Sequence, residues 1–288
     1  MTPTPISKLL VDGREFLIKR DDLYDPYLSG NKFRKLQKLI DTPQTRYKRV
    51  ISYGGTQSNA MLSIAALAKQ KGWEFIYYTK PLSSFLKENP SGNYKYALSF
   101  GMQHIEVEHE LYRDMIASLR VTQDGGTVLV DQGGADVMAA YGLEKLAKEL
   151  REQLQGTKFT ALATPSGTGT TALFLAKAMP EYKIFTTPSV GDKAYLMQQM
   201  QALSPIPSNL HILEASKKYH FAKPYREFYE LYKKLLDGSG IEFDLLYAPL
   251  LWQELLQQRD EDICYIHSGG LLGNESMLAR YRKLLDRK

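Results

Sequence analysis

Residues 159–178 read FTALATPSGTGTTALFLAKA and contain the parts of one βα unit in order. An apolar run from Phe159 to Ala163 leads into a turn rich in glycine and hydroxyl side chains, and an apolar stretch then continues to Ala178. A turn between a strand and a helix N-terminus presents free backbone amides and a favourable dipole to an anion. The hydroxyl groups of this turn add donors: Ser166, Thr168, Thr170 and Thr171. The pattern predicts a phosphate-binding turn.

Apolar runs and amphipathic segments alternate on both sides of this unit. The pairs are 49–53 before 58–69, 75–78 before 94–100, 127–130 before 137–150, 159–163 before 170–178, 183–185 before 194–202 and 263–266 before 271–285. Such alternation is typical of βα units whose strands form a parallel sheet. The sequence therefore predicts an α/β fold. Its 288 residues, 43% of them hydrophobic, suffice for one substantial core or two moderate ones.

Charge and cysteine content argue against several classes of protein. The formal charge is +5, but 37 basic residues are interleaved with 32 acidic ones, so we expect small anionic ligands and no nucleic-acid partner. Cys264 is the only cysteine, which excludes an intrachain disulfide, and we expect no metal site. No apolar run approaches the ~20 residues that cross a bilayer, and residues 1–5, MTPTP, do not resemble a signal peptide. We therefore expect no membrane segment and a cytoplasmic location.

The glycine-rich turn is open to other interpretations. Through Ala172 it spells glycine-any-glycine-any-any-alanine, a weak fingerprint of dinucleotide binding. That function needs an acidic residue after the next strand, whereas Ile184-Phe185 is followed by Thr186-Thr187-Pro188. No lysine follows the glycines, which excludes an ATP-binding P-loop. A nicotinamide-dependent oxidoreductase and a turn whose glycines serve only packing stay open as alternatives.

Two more segments follow predicted strands and carry polar groups. Residues 54–59, GGTQSN, place amide and hydroxyl side chains at a helix start, where they could bind a carboxylate or simply cap the helix. Residues 267–270, HSGG, follow the apolar run 263–266. Ligands collect at the carboxyl ends of strands in open α/β sheets, so both segments are candidates for a site. We assign no chemistry to His267 itself.

Lys32 lies in Ser29-Gly30-Asn31-Lys32, far in sequence from these loops. A lysine beside a phosphate-binding turn could carry pyridoxal phosphate as an imine. Taken alone, a lysine in a helical pattern is usually solvated. The segment also matches the serine-any-any-lysine pattern of penicillin-recognising acyl enzymes, but the companion motifs of those enzymes do not occur.

Taken together, these segments resemble the D-cysteine desulfhydrase and 1-aminocyclopropane-1-carboxylate deaminase family of pyridoxal-phosphate enzymes, in the tryptophan synthase β superfamily. Six segments carry the resemblance, in the family's order: 19–22, 30–35, 54–59, 131–135, 166–171 and 267–270. The resemblance implies fold type II, a two-domain α/β fold with open parallel sheets and the cofactor in the cleft. By analogy, residues 1–36 and 146–288 would form the large domain and residues 37–145 the small domain.

The resemblance also implies which residues hold the cofactor, pyridoxal 5'-phosphate. Lys32 would form the imine, Asn59 would bond the phenolic oxygen, and Ser268 would lie at the pyridine nitrogen. The phosphate would be held by the glycine-rich turn: Ser166, Gly167, Thr168, Gly169 and Thr170.

Catalytic roles follow from the same resemblance. Ser58 would help to bind the substrate carboxylate, and the freed Lys32 amine would remove the α-proton. Tyr219 and Tyr247 match the two active-site tyrosines of the family, and either could protonate the leaving group. Relatives commonly form homodimers, so we expect one here.

Two departures from the family pattern bear on the substrate. Ala248 stands where the deaminase branch has a glutamate at the pyridine nitrogen, which leaves only the hydroxyl of Ser268 there. A neutral hydroxyl stabilises a protonated pyridine less than a carboxylate does, which favours β-elimination over opening of a cyclopropane ring. Residues 60–62, Ala-Met-Leu, also lack the polar groups that relatives often place there.

The chain is thus interpreted as a pyridoxal-phosphate-dependent lyase that converts a small amino acid to a keto acid and ammonia by α,β-elimination, similar to D-cysteine desulfhydrase. A 1-aminocyclopropane-1-carboxylate deaminase and a catalytically idle pyridoxal-phosphate-binding protein are the alternatives.

Overall fold

The computed structural model describes residues 2–121 and 124–286, whose strands form two sheets. Six strands form the larger sheet: β1 (Ile6–Val11), β2 (Arg14–Lys19), β7 (Ala161–Ala163), β8 (Lys183–Thr186), β9 (Leu210–Ile212) and β10 (Ile263–Ile266). Their order is β1-β2-β10-β7-β8-β9. Every neighbouring pair is parallel except β1 and β2.

Four parallel strands form the smaller sheet: β3 (Arg49–Tyr53), β4 (Glu74–Thr79), β5 (Gln103–Glu106) and β6 (Thr127–Val130). Their order is β5-β4-β3-β6. The α-helices are α1 (Gly30–Asp41), α2 (Asn59–Lys71), α3 (Ser84–Glu88), α4 (Gly92–Ser99), α5 (Tyr112–Val121), α6 (Ala139–Leu154), α7 (Thr170–Ala178), α8 (Lys193–Gln201), α9 (Arg226–Ser239), α10 (Ala248–Leu255) and α11 (Asn274–Leu285). Two mostly parallel sheets with helices between the strands agree with the predicted α/β class.

The central strands of the larger sheet are buried along their whole length. All four residues of β10 are buried, and β10 pairs with β2 on one side and with β7 on the other. A parallel strand that is covered on both faces reads as a continuous apolar run rather than an alternating one. The run 263–266, Ile-Cys-Tyr-Ile, is therefore a strand, and Cys264 is a buried free thiol.

The antiparallel pair β1 and β2 is joined by a two-residue turn. Asp12 and Gly13 have φ of 51° and 72°, so both take the left-handed conformation. This is the requirement of a type I′ turn, whose twist matches that of the flanking strands. The alternating βα pattern does not predict this hairpin. In the sequence, it is indicated by the Asp-Gly pair.

Helix α2 begins directly after the polar segment that follows β3. Ser58 precedes it, and its hydroxyl accepts a hydrogen bond from the backbone amide of Met61 at 3.3 Å. The helix ends at Gly72, whose φ of 69° gives a left-handed cap. Its apolar side chains join the core that also contains Val50 of β3 and Phe75 of β4. The loop 54–58 is thereby held between two rigid elements.

All four strands of the smaller sheet lie between residues 49 and 130. The predicted limits of the two domains, residues 36 and 146, fall inside helices α1 and α6. These two helices pack closely, since a Cβ atom at Gly142 of α6 would lie 1.8 Å from the carbonyl oxygen of Arg34 in α1. The backbones of the two helices therefore approach each other closely at Gly142. The limits of the two domains stay a prediction.

None of the described helices combines the length and the apolar character that crossing a bilayer requires. Within residues 2–121 and 124–286, no group of three His, Cys, Asp or Glu side chains is placed to hold a metal ion.

Candidate active site

Lys32 lies in the first turn of α1 and is half-buried. Its Nζ donates a hydrogen bond to Oδ1 of Asn31 at 2.8 Å. Burial lowers the pKa of Lys32 to about 8, while the negative charge of Asp244 acts in the opposite direction. A lysine with such a pKa exists partly as the neutral amine near physiological pH, which is the form that reacts with a carbonyl group or accepts a proton.

The start of α1 is pressed against the loop that follows β10. Gly30 has φ of 57°, and a Cβ atom there would lie 1.9 Å from the carbonyl oxygen of Ser268. The backbone amide of Asn31 donates to the same carbonyl at 3.2 Å. Only glycine fits this approach, which brings Lys32 and Ser268 to one place although 236 positions separate them in the sequence.

The glycine-rich turn lies between β7 and α7, as predicted. Gly169, with φ of 74°, precedes α7 and offers no side-chain cap. The backbone amides from Gly167 to Thr171 donate to no other group within the described part of the chain, and Oγ1 of the buried Thr171 has no partner there either. Free amides at a helix N-terminus attract an anion. The turn therefore fits a phosphate group.

Ser166 and Thr168 differ in their surroundings. The hydroxyl of Ser166 lies 2.7 Å from Oγ1 of Thr186, in β8, and is buried. Oγ1 of Thr168 lies 2.9 Å from Oγ1 of Thr170. Ser166 thus ties the turn to the sheet, while Thr168 and Thr170 stand beside the free amides.

Lys35 is a site residue that the sequence analysis did not single out. It lies one helical turn after Lys32, and its Nζ donates to the carbonyl oxygen of Gly133 at 3.0 Å and to Oγ1 of Thr168 at 3.4 Å. Burial, with the positive charge of Lys32, lowers the pKa of Lys35 well below its ordinary value. A second amine group is thereby placed beside the phosphate-binding turn. Its signals in the sequence were its place in the segment 30–35 and its spacing of three from Lys32 on a helix.

Asn59 is the first residue of α2, and its amide is oriented by a neighbour. Its Oδ1 accepts a hydrogen bond from Nδ2 of Asn93 at 2.7 Å. Its Nδ2 faces the loop after β10, where a Cβ atom at Gly270 would lie 2.3 Å from it. Since Oδ1 is occupied, Asn59 presents a donor to this space, which suits an oxygen acceptor such as a phenolate.

The loop 54–58 has features of an anion site of its own. The backbone amides of Thr56 and Gln57 donate to no other group among the described residues. The hydroxyl of Tyr77, in β4, donates to the carbonyl oxygen of Gly55 at 3.1 Å and supports the loop from below. Burial raises the pKa of Tyr77, so this hydroxyl stays neutral. A carboxylate can bind here beside Ser58.

Tyr247 lies against the glycine-rich turn. A Cβ atom at Gly167 would be 3.2 Å from Cε1 of the Tyr247 ring. Burial, with the negative charge of Asp244, raises the pKa of Tyr247, so its hydroxyl carries a proton at physiological pH. Ser268 is buried nearby, and its hydroxyl donates to Oδ2 of Asp244 at 3.4 Å.

Tyr219 lies in a different cluster. Its hydroxyl donates to Oε1 of Gln253 at 2.9 Å, and its ring stacks on Phe228 with centroids 4.4 Å apart. The residue of this segment that meets Tyr247 is Phe221, whose ring centroid is 5.2 Å away and whose surface is 42% exposed. The role of Tyr219 as an active-site tyrosine stays a prediction.

Loops from both sheets therefore surround one lysine. They supply a phosphate-binding turn with a second amine, an oriented amide donor and a buried hydroxyl. Together, this fold and site are those of an α/β protein in which a turn suited to a phosphate-bearing ligand lies beside the helix that carries Lys32. Residues 1–235 match the model of the family described as pyridoxal-phosphate dependent enzyme, and the chain belongs to this family. It is a pyridoxal-phosphate-dependent enzyme with an α/β fold of type II, as the sequence predicted.

Individual relatives support the same assignment. A Thermotoga maritima protein provisionally named 1-aminocyclopropane-1-carboxylate deaminase is 25% identical, over 99% of this chain and 98% of that protein. The D-cysteine desulfhydrase of Serratia proteamaculans is 27% identical, over 93% of this chain and 91% of the relative. The crystal structure of a 1-aminocyclopropane-1-carboxylate deaminase homologue superposes with a TM-score of 0.74 at 22% identity, covering 97% of this chain and 94% of the other.

Proposed function

We propose that this enzyme is a lyase that converts a small amino acid to a keto acid and ammonia by α,β-elimination, with D-cysteine as the preferred substrate. The observation that carries the proposal is the position of Lys32, whose amine lies among groups that suit the phosphate, the phenolic oxygen and the pyridine nitrogen of one cofactor. For D-cysteine the overall reaction is D-cysteine and water to pyruvate, hydrogen sulfide and ammonia.

The cofactor would be held by groups from both sheets. The free amides of the glycine-rich turn, with Thr168, Thr170 and Lys35, suit its phosphate. The amide donor of Asn59 suits the phenolic oxygen, and Ser268 suits the pyridine nitrogen. When bound, pyridoxal phosphate would supply an electron sink that makes the α-proton of the substrate amino acid acidic.

The protein's own groups would then move two protons. Lys32, with its pKa lowered by burial to about 8, takes the α-proton as general base. The loop 54–58 and Ser58 hold the substrate carboxylate. Tyr247 keeps its proton at physiological pH because its pKa is raised, so it has a proton to give to the leaving hydrosulfide.

Reduction with borohydride tests the site. We expect the yellow holoprotein to carry a pyridoxyl adduct on Lys32 after reduction and peptide mass mapping. The variant K32A should lose both colour and adduct. The matched control K38A changes an exposed lysine of the same helix and should keep both. An adduct on Lys35, or on any other lysine, would contradict the assignment.

The substrate is tested by comparing two products. We expect D-cysteine to release sulfide faster than 1-aminocyclopropane-1-carboxylate releases ammonia, at matched concentrations. We expect D-cysteine to react faster because Ala248 stands where the deaminases have a glutamate, so no carboxylate at this position would meet the pyridine nitrogen. Equal or reversed rates would favour the deaminase, and colour without turnover on any small D- or L-amino acid would favour an idle binding protein.

The proposal includes a homodimer in the cytoplasm, as the family resemblance implies. Light scattering of the purified holoprotein tests the dimer, and cell fractionation tests the location.

A further inference from the structure

Asn93, in the first turn of α4, is a buried residue that contacts two parts of the candidate site. Its side chain is fully buried and, within the described part of the chain, bonds to no group of α4 itself. Its Nδ2 donates to the backbone carbonyl oxygen of Gln57 at 3.0 Å and to Oδ1 of Asn59 at 2.7 Å. Both hydrogens of this amide therefore leave α4, one for the loop 54–58 and one for the start of α2.

The side chain of Gln57 ties the same loop to the beginning of α4. Its Oε1 accepts a hydrogen bond from the backbone amide of Asn93 at 3.1 Å, and its Nε2 donates to the carbonyl oxygen of Ser91 at 3.1 Å. Gly92 has φ of 55°, and a Cβ atom there would lie 2.4 Å from Oε1 of Gln57. Main-chain contacts thus fix where Asn93 stands relative to the loop.

The carbonyl oxygen of Gln57 decides how the amides of Asn93 and Asn59 are turned. A backbone carbonyl can only accept a hydrogen bond, so Asn93 must present its Nδ2 to it. The same Nδ2 then faces Asn59, which must meet it with Oδ1. The Oδ1 of Asn93 has no partner among the described residues, yet turning the amide would set this oxygen against two acceptors. The orientation of both amides therefore follows from a main-chain group whose polarity cannot change.

We propose that Asn93 is a positioning residue that keeps Nδ2 of Asn59 turned towards the phenolic oxygen of the cofactor. The inference deepens the proposed function and rests on the proposed contact between Asn59 and that oxygen. A donor at this place favours the ionised phenolic oxygen, because a hydrogen bond made to the charged form stabilises that form. If Asn59 were turned over, its Oδ1 would favour the protonated phenol instead.

Absorption spectra of the folded holoproteins test this role. Bound pyridoxal phosphate absorbs in the visible when its phenolic oxygen is ionised and in the near ultraviolet when that oxygen keeps its proton. We expect N93L to lower the ratio of visible to near-ultraviolet absorbance by about tenfold, the order of effect of one hydrogen bond to a charged group. The matched control N89L changes an exposed asparagine just after α3 and should keep the wild-type ratio. An N93L ratio equal to that of the wild type overturns the proposal.

A double-mutant cycle shows whether Asn93 acts through Asn59. N59A should lower the ratio by itself, and the double variant N59A/N93L should then match N59A, because no amide is left to be turned. A further loss in the double variant would mean that N93L disturbs the site in a general way, which overturns the proposal. N59A with the wild-type ratio also overturns it, and this holds even if N93L does not fold. The smaller replacement N93A carries the same expectation as N93L.

Borohydride mapping of the same samples separates this inference from the proposed function. An adduct on Lys32 in the wild type, together with an unchanged ratio in N93L, overturns the role of Asn93 alone. The absence of an adduct on Lys32 in the wild type overturns both.

Discussion

Nζ of Lys35 lies 3.4 Å from Oγ1 of Thr168, so a basic side chain of α1 reaches the turn that begins α7. The two residues are 133 positions apart in the sequence. Helix α1 thereby carries both Lys32, the residue proposed to bind the cofactor's carbonyl carbon, and an amine that lies beside the proposed phosphate-binding turn.

We expect K35M to weaken the binding of pyridoxal phosphate by about 10- to 100-fold, because a hydrogen bond to a charged group contributes about 1.5–3 kcal/mol. Methionine keeps much of the side-chain volume. The dissociation constant can be followed by quenching of tryptophan fluorescence. K38M, at an exposed position of the same helix, is the control, and equal affinities of the two variants would show that Lys35 does not meet the phosphate.

Gly270 should be required for cofactor binding. Its φ is 76°, and a Cβ atom would lie 2.3 Å from Nδ2 of Asn59. Gly240, with φ of 68° and nothing near a Cβ atom, is the matched control. Alanine at either position should cost about 1–2 kcal/mol of unfolding free energy through left-handed strain. Only G270A should also lower the affinity for pyridoxal phosphate, in titrations of the folded apoproteins. A similar loss of affinity in G240A would indicate general destabilisation.

The stability of the cofactor-free protein should depend on pH through Lys32. Its pKa is lowered from 10.5 to about 8, so between these values the unfolded chain holds a proton that the native protein has lost. This lysine therefore costs stability below pH 8, and the cost disappears as the pH rises towards 10.5. We expect K32M to be more stable than the wild type in urea at neutral pH, with a difference that shrinks above pH 9. A difference that grows with pH would refute the lowered pKa.

The two tyrosines can be separated by their phenylalanine variants. We expect Y247F to reduce kcat for sulfide release by about 10²–10⁴-fold, the usual contribution of a general acid. Y219F should have a smaller effect, since the Tyr219 hydroxyl already donates to Oε1 of Gln253 at 2.9 Å. The bound cofactor's absorption spectrum shows whether both variants remain loaded. The reverse order of effects would make Tyr219 the proton donor.

Much of the fold could be predicted from the sequence because the parallel strands are short runs rich in β-branched and aromatic residues that alternate with amphipathic helices. The runs 49–53, 127–130 and 263–266 coincide with β3, β6 and β10. Edge strands give no such signal. Gln103–Glu106 is mostly exposed at the edge of the smaller sheet, and Leu210–Ile212 is a three-residue edge strand of the larger one.

Some parts of the candidate site could likewise be predicted from the sequence, and others could not. The glycine-rich turn could be predicted from the sequence because its strand, turn and helix are adjacent in the chain. Lys35 could not be predicted in this way, because its contact with Thr168 joins two residues that are remote in sequence. The roles of single residues came from the family resemblance, and composition or spacing alone would have left Lys32 an ordinary helix lysine.

The position of β10 between β2 and β7 has a consequence for biosynthesis. Among the described strands it comes last in the sequence, yet it lies in the middle of the larger sheet. The nascent chain must hold β2 and β7 apart, or pair them wrongly, until β10 emerges with Ser268 behind it. We therefore expect the vitamin-derived group to be loaded only after β10 has been made, and an early stop codon before Ile263 should leave an insoluble fragment rather than a weakly active one.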